Sequence, residues 1–269
     1  MEKQTSNNNP MNFKLPYIPE RPQKPRNLGL TMVMDKGLSL SEAESMVELG
    51  SEFIDFVKFG FGTALITNKL EEKIRVYQQA GIRPYFGGTL FEIFIIRGMF
   101  DEFCKFIDKY KLDLAEVSDG SMVMDNDVKC EYISKLAKRV TVISEVGSKN
   151  ADVHIPDEVW VAMMRKELEA GSWKVIAEAR ESGNIGIYNS NNSANTKLID
   201  DIIHHIKIEN VLWEAPLKSQ QAWFIGLLGA NVNLGNIAPN EIISLETLRI
   251  GLRGDTFLQF LPNELREGQ

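Results

Sequence analysis

Strand-like and helix-like segments alternate along most of this chain, and that alternation restricts its fold more than any other feature. Short apolar runs typical of buried strands recur eight times, each followed by a stretch with the periodicity of an amphipathic helix. The predicted strands are 28–34, 53–59, 83–86, 114–117, 140–146, 173–179, 211–214 and 232–234. The predicted helices are 41–50, 68–80, 90–110, 127–138, 156–171, 196–207, 218–228 and 240–251.

Eight strand and helix units predict an α/β protein, a single-domain (β/α)8 TIM barrel over residues 28–261. A doubly wound open sheet is the alternative, but no Gly-x-Gly-x-x-Gly motif follows an early strand. Residues 1–27 are polar and contain five prolines, so we expect an irregular tail or cover there. Residues 262–269 are expected to form a second tail.

Composition excludes several classes of function. The chain has 269 residues, 43% of them apolar, which fits one domain of barrel size. A net charge of −7 without a basic stripe argues against nucleic acid or an anionic membrane as partner. Two cysteines cannot build a disulfide framework, and no apolar run is long enough for a membrane span. Without an apolar signal segment at the N-terminus, we expect the protein in the cytoplasm.

Charged residues near the C-terminal ends of five predicted strands give the strongest functional signal. They are Lys58, Glu116, Glu145, Glu178 and Glu214. Lys58, Gly87, Glu116 and Glu145 follow one another at intervals of 29 residues, about the length of one strand and helix unit. A charge buried in a parallel sheet costs several kcal/mol unless it is paired or bound to a metal. Because barrel strands all end at the face that carries the active site, we expect these side chains to form a site.

The residue types at these strand ends predict a site for a metal and an anion. Carboxylates are the hard oxygen ligands that Mg²⁺ prefers, and Glu116, Glu178 and Glu214 are the predicted ligands. Positive charge at the same face would come from Lys58, Lys149 and Arg180. Further candidate anion contacts, most of them in the loops after the last two strands, are Lys218, Ser219, Gly235, Asn236 and Arg253. A phosphorylated, carboxylated substrate fits this mixture.

Two loops have both a structural and a functional interpretation. Thr89 and Glu92 have the spacing of a capping box, which predicts that they start the third helix. The alternative is that Gly87, Gly88 and this helix start present backbone N–H groups to an anion. Residues 189–195, rich in Asn and Ser, follow the sixth strand as a loop and are a candidate lid over the site.

Seven ordered blocks of sequence resemble the phosphosulfolactate synthase family, over about residues 25–260. The blocks are NLGLTMVMDKG at 27–37, GGTLFE at 87–92, EVGSK at 145–149, EARESG at 178–183, EAPLKSQQ at 214–221, VNLGNI at 232–237 and LETLRIGLRGDT at 245–256. The resemblance implies a (β/α)8 barrel that catalyses the Mg²⁺-dependent addition of sulfite to phosphoenolpyruvate, which gives (2R)-phospho-3-sulfolactate. This is a step toward coenzyme M in some lineages and sulfolactate in others. The resemblance also implies a homo-oligomer, with a trimer as the candidate state.

The chemistry of that reaction assigns roles to the candidate residues. Both substrates are anions, and two unit charges about 4 Å apart repel by roughly 4 kcal/mol at an effective dielectric constant near 20. Lys58 is expected to bind an anion and Lys149 to donate a proton, its pKa lowered by burial or by a neighbouring cation. Glu145 is expected to hold Lys149 or the metal; the resemblance leaves the division among the glutamates open.

Two alternatives to this function remain at the level of sequence. The same carboxylates and lysines would serve another metal-dependent lyase or aldolase that acts on a phosphorylated carboxylate. The resembling family also includes plant heat-stress-associated proteins, so a barrel without enzymatic activity is the second alternative.

Overall fold

The computed structural model describes residues 12–150, 152–153 and 155–267, and within them eight strands and ten α-helices alternate. The strands are β1 Thr31–Asp35, β2 Phe56–Phe59, β3 Arg83–Phe86, β4 Leu114–Val117, β5 Thr141–Val146, β6 Lys174–Ala177, β7 Val211–Glu214 and β8 Leu234–Ile237. The helices are α1 Leu40–Gly50, α2 Leu70–Gln79, α3 Gly88–Ile95, α4 Phe100–Lys109, α5 Asn126–Leu136, α6 Asp157–Glu169, α7 Thr196–His205, α8 Lys218–Leu228, α9 Ile242–Arg249 and α10 Asn263–Arg266.

The strands are parallel and lie in the order β3-β2-β1-β8-β7-β6-β5-β4, which confirms the predicted (β/α)8 barrel. Through the part of the chain that the structure describes, the ladder is interrupted between β3 and β4. Two contacts bridge that seam. Arg83 Nε, at the start of β3, donates to Asp113 Oδ2 just before β4 over 2.8 Å. Gly88 N, just after β3, donates to Glu116 Oε1 within β4 over 2.5 Å.

Alternate side chains fill the barrel interior and support the charged strand ends. An apolar cluster consists of Leu30, Met32, Phe56, Tyr85, Leu114, Ile143, Ile176 and Leu212. Successive side chains of a strand point to opposite faces, so a residue two positions further along points the same way. That relation joins Phe56 to Lys58 and Leu114 to Glu116. The cluster therefore closes the barrel directly below the charged residues.

The predicted helix over 90–110 is wrong, because the chain forms α3 and α4 there with a turn between them. Gly98 takes a left-handed backbone, with φ +68°. Met99 N donates to Phe94 O over 2.9 Å and Gly98 N donates to Ile95 O over 2.9 Å. This pair of bonds is the Schellman motif that ends a helix at glycine.

The predicted eighth strand, 232–234, is also displaced from β8. Asn233 replaces strand contacts with its side chain: Oδ1 accepts from Leu30 N over 3.1 Å, and Nδ2 donates to Val211 O over 3.1 Å. Gly235 and Asn236, which sequence assigns to a loop, lie within β8 and are buried. Ala215 N donates to Gly235 O over 3.0 Å, so this short segment pairs with β7 despite its low strand propensity.

Residues 12–27 have no regular secondary structure, and residues 20–26 contact the face where the strands begin. Arg21 Nε and Arg26 Nη2 form buried ion pairs with Glu246 and Asp55, each at 2.8 Å. Residues 1–11 of the predicted tail lie outside the described residues. The C-terminal segment contains α10, and its last two residues also lie outside. Within the described residues, no helix combines the length and the apolar character needed to cross a membrane.

Candidate active site

Lys58 occupies the centre of the charged cluster at the C-terminal ends of the strands. Its Nζ lies 3.0 Å from Glu116 Oε1, 3.0 Å from Glu145 Oε2 and 3.5 Å from Glu214 Oε1. The residue is 5% exposed. Gly87 leaves space for this long side chain to cross the barrel, because a Cβ there would lie 3.1 Å from Lys58 Cε. Carboxylates from β4, β5 and β7 therefore meet on one ammonium group.

Lys149 approaches the same cluster from the loop after β5. Its Nζ lies 2.6 Å from Glu145 Oε1 and 3.7 Å from Glu178 Oε2. The Lys149 side chain is 25% exposed, whereas Glu145 and Glu178 are almost completely buried. Lys149 thus joins the buried carboxylates to the rim of the barrel.

Three of the glutamates could hold a metal ion. Ligand oxygens of Glu145, Glu178 and Glu214 all lie within 4.8 Å of one another. Within the described residues, both oxygens of Glu178 and Oε1 of Glu214 are buried without a hydrogen-bond donor. Buried acceptors without a donor are costly, and oxygen-rich clusters of this kind suit hard divalent cations. The residues present therefore fit a divalent metal.

Glu116, a predicted ligand, lies outside that metal-binding group. Its Oε1 accepts the hydrogen bond from Gly88 N and lies against Lys58. Glu145, a candidate catalytic residue expected to hold Lys149 or the metal, belongs to the group instead.

Charge and burial set the proton affinities of the cluster. Burial raises the pKa of Glu178, and the nearby Glu145 and Glu214 raise it further. Burial also raises the pKa of Glu214, to about 8, although Lys58 counteracts part of that effect. For Glu145 burial acts in the same direction, but Lys149 and Lys58 outweigh it and hold its pKa well below the usual range.

The structure contradicts the expectation that the pKa of Lys149 is lowered. Burial does lower it, but Glu145 and Glu178 outweigh burial and raise the pKa above its ordinary value. The expectation considered burial and cations, whereas the dominant neighbours are two carboxylates: Glu145, four residues earlier in the chain, and Glu178, just after β6. Lys149 is therefore protonated at neutral pH.

The other predicted site residues lie around this cluster at different depths. Asn236 is part of it: Nδ2 donates to Ala179 O over 3.1 Å, Ala179 N donates to Glu214 Oε2, and the buried Asn236 Oδ1 has no donor among the described residues. Lys218, predicted to contact an anion, forms an ion pair with Asp255 at 2.7 Å. Arg180 and Ser219 are exposed just after β6 and at the start of α8, Arg253 is half-buried beyond α9, and Gly235 packs against Met32 inside the barrel.

Ser118 and Glu92 belong to the site although sequence assigned neither to it. Ser118 Oγ lies 2.6 Å from Glu92 Oε1 and 2.9 Å from Glu145 Oε1. The predicted capping box is wrong, because Gly87 is the N-cap of α3 without a side-chain cap, and Glu92 points instead to Ser118 and Ser121 N. Gly88 N donates to the carboxylate of Glu116, so the alternative, that this helix start presents N–H groups to a bound anion, stays a prediction.

The candidate lid over 189–195 is tied to the loop in front of it. Asn192 Nδ2 donates to Gly183 O over 2.9 Å, and Gln220 Nε2 donates to the same oxygen over 2.8 Å. Tyr188 OH donates to Glu214 O over 2.8 Å, which connects this segment to the cluster. Closure of the segment over the site stays a prediction.

The fold and the position of the cluster define a (β/α)8-barrel enzyme with an acidic, lysine-containing site at the C-terminal ends of its strands. Residues 19–255 match the family model of (2R)-phospho-3-sulfolactate synthase. The chain belongs to that family, which confirms the resemblance seen in the sequence motifs.

Curated relatives agree with this assignment, and a solved structure agrees with the fold. The chain is 42% identical to phosphosulfolactate synthase of Bacillus subtilis over 89% of this chain and 96% of the relative. It is 39% identical to phosphosulfolactate synthase of Methanothermobacter thermautotrophicus, over 88% of this chain and 95% of the relative. The structure of 3-hexulose-6-phosphate synthase from Salmonella typhimurium has a TM-score of 0.54 at 14% identity, covers 83% of this chain and is itself covered completely, a likeness of fold alone.

Proposed function

We propose that this enzyme adds sulfite to phosphoenolpyruvate and forms (2R)-phospho-3-sulfolactate. Family membership supports the reaction. The observation that carries the proposal is the cluster of four glutamates and two lysines at the strand ends. A reaction between two anions needs fixed positive charge, and a buried site makes such charge more effective than it is in water.

The reaction forms one bond between the sulfur of sulfite and the methylene carbon of phosphoenolpyruvate. The electron pair of the carbon–carbon double bond moves toward the carbon that bears the phosphate, with negative charge spreading into the carboxylate. One proton then adds to that carbon, and the phosphate ester stays intact. The enzyme therefore has to bind two anions, accommodate developing charge and deliver one proton.

We assign the divalent cation, proposed as Mg²⁺, to Glu145, Glu178 and Glu214. The closeness of their oxygens and the absence of donors for Glu178 among the described residues support this set over the one predicted from sequence. When bound, Mg²⁺ supplies positive charge to the substrate carboxylate, where negative charge develops during the addition.

Lys58 is proposed to balance the carboxylates instead of binding the substrate directly. Its ammonium group has three N–H donors, and three glutamate oxygens surround it. This pairing lowers the negative charge that an incoming anion meets, and it fixes the carboxylates relative to one another.

Lys149 is the proposed proton donor. Its ammonium group lies at the edge of the cluster, partly exposed toward the open end of the barrel, and is protonated at neutral pH. Glu145 orients it through the 2.6 Å contact. Lys58 is buried and enclosed by three carboxylates, so Lys149 is better placed to reach a substrate carbon.

Residues at the rim are proposed to bind the phosphate and sulfite groups. Arg180 lies just after β6, Ser219 in the first turn of α8 and Arg253 after α9. Lys218 would join them by exchanging Asp255 for an anion. A cytoplasmic location and a homo-oligomer, with a trimer as candidate, stay predictions.

The test is incubation of the wild-type protein with phosphoenolpyruvate, sulfite and Mg²⁺, followed by phosphorus NMR and mass spectrometry. A new phosphorus resonance and a mass for phosphosulfolactate are expected, and both should disappear when sulfite is omitted. Consumption of phosphoenolpyruvate only with a carbonyl compound in place of sulfite would favour another metal-dependent lyase. No product with any electrophile or divalent metal would overturn the proposal.

A further inference from the structure

A second buried lysine, Lys129 on α5, lies behind the site and does not face its open end. Its Nζ donates to Glu145 O over 2.5 Å and to Asp119 Oδ1 over 2.7 Å, and it lies 2.9 Å from Glu167 Oε1. The side chain is completely buried. One ammonium group thus joins the end of β5, the loop after β4 and helix α6.

The loop that Asp119 anchors also supports Lys149. Lys149 N donates to Gly120 O over 2.9 Å, and Gly120 N donates to Ser118 Oγ over 3.3 Å. Ser118 Oγ in turn contacts Glu145 Oε1. A Cβ at Gly120 would lie 3.2 Å from Lys149 Nζ, so the loop packs closely against that side chain. Residues 118–121 therefore touch both Glu145 and Lys149.

We propose that Lys129 is a positioning residue that acts through Asp119 and the Glu145 carbonyl to fix the carboxylate of Glu145 and the ammonium of Lys149. The inference rests on the proposed function, since these two groups are the proposed ligand and proton donor. Lys129 itself contacts neither substrate nor metal. Groups that orient the residues in contact with a metal typically change affinity or activity by about 10- to 100-fold when they are removed.

Comparing the two carboxylates that pair with Lys129 shows whether Lys129 positions the site residues or only stabilises the fold. Asp119 belongs to the loop that holds Lys149, whereas Glu167 lies on α6 and accepts from Asn126 Nδ2 over 3.0 Å. Both compensate the charge of Lys129. A role that is only structural would make the two carboxylates equivalent; a positioning role makes Asp119 the sensitive one.

The experiment compares Asp119→Ala with Glu167→Gln, whose amide oxygen still accepts from Lys129. Asp119→Ala is expected to lower kcat by about 10- to 100-fold with a smaller change in the KM for phosphoenolpyruvate. Asp119→Asn, which keeps an acceptor oxygen, should restore part of that loss. Glu167→Gln is expected to lower the melting temperature while kcat stays within about threefold of wild type.

Hydrogen exchange provides a readout that does not depend on turnover. The Lys149 amide, which donates to Gly120 O, should lose protection in Asp119→Ala and keep it in Glu167→Gln. Equal kcat losses in the two variants, or unchanged kcat and amide protection in Asp119→Ala, would overturn the positioning role. If the wild-type protein forms no phosphosulfolactate, the proposed function fails, and the exchange comparison alone decides whether the loop depends on Asp119.

Discussion

At the scale of single residues, the site is a problem of charge balance. Four buried carboxylates face two ammonium groups. Burial and neighbouring carboxylates raise the pKa of Glu178, and burial raises that of Glu214 to about 8, so some of these groups hold protons at neutral pH without a cation. A divalent ion would replace those protons. The proposed metal ligands thus also include the carboxylates that offset the charge of Lys149.

Replacing Lys149 with alanine tests its assignment as the proton donor. We expect kcat to fall by about 10²- to 10⁴-fold, the usual effect of losing a general acid. The melting temperature should change little, because Glu145 keeps its contacts with Lys58 and Ser118. Lys135→Ala is the matched control, since Lys135 is exposed and also pairs with a glutamate one helical turn away. A clearly lower melting temperature, with normal kcat in the folded fraction, would mean that Lys149 serves only to pair with the buried carboxylates.

Replacing Lys58 with methionine tests its assignment as the counter-charge of the carboxylates, without direct contact with the substrate. It leaves Glu116, Glu145 and Glu214 without their shared counter-charge, and breaking a buried ion pair typically costs about 3–5 kcal/mol. Thermal denaturation should show a clearly lower melting temperature. Adding Glu116→Gln should recover part of that loss, because it removes one of the unpaired carboxylates. A variant with wild-type stability and a raised KM would instead support direct anion binding by Lys58.

At the scale of strands and helices, the first turn of α3 fits closely against the cluster. A Cβ at Gly88 would lie 2.3 Å from Ser118 Cβ and 2.6 Å from Glu116 Oε1. Glycine at this position lets the backbone N–H reach the carboxylate of Glu116. The helix thereby also bridges β3 and β4, where the ladder is interrupted among the described residues.

Gly88→Ala should therefore destabilise the protein, because the added methyl group forces apart the helix and β4. Overpacking of this kind costs about 1–3 kcal/mol. Gly226→Ala is the control: it lies in α8, where a Cβ would meet nothing within 4 Å, and alanine there should be neutral or stabilising by up to about 1 kcal/mol. Denaturant titration of both variants measures the difference. Equal stabilities would mean that α3 adjusts without cost.

The sequence predicted the barrel and the charged cluster because both depend on periodic features. In five of the strands an apolar residue is followed two positions later by a charged residue on the same face, as in Ile143 and Glu145. Side-chain contacts between segments distant in sequence could not be predicted, because they depend on tertiary packing. Glu92 has the spacing of a cap, and only tertiary packing directs it to Ser118. Gly235 and Asn236 have loop propensities that pairing with β7 overrides.

At the scale of the whole molecule, residues 20–26 lie against the end of the barrel opposite the site. Arg21 contacts Glu246 on α9, and it also contacts the Asn231 side chain and Ala230 O, which lie between α8 and β8. Arg26 pairs with Asp55, whose Oδ2 also accepts from Thr31 N at the start of β1. An irregular segment therefore contributes fixed contacts to the fold.

Deleting residues 1–22 should lower the melting temperature by several degrees, because the deletion removes Arg21 and leaves Glu246 without its partner. Arg21→Ala should reproduce most of the change. Turnover per folded molecule should stay within a few-fold, since these contacts lie at the other end of the barrel. An unchanged melting temperature would make the segment dispensable, and a large loss of kcat would connect it to the site.

A crystal structure with Mn²⁺ and phosphoenolpyruvate tests the central claim most directly, that the strand-end cluster is where a divalent cation meets the anionic substrate. Anomalous scattering locates the metal independently of the protein density. We predict a metal within about 2 to 2.6 Å of oxygens from Glu145, Glu178 and Glu214, with the substrate carboxylate on the same ion and Lys149 next to the substrate carbons. A metal and substrate bound elsewhere, with the glutamates still enclosing Lys58 alone, would contradict the account.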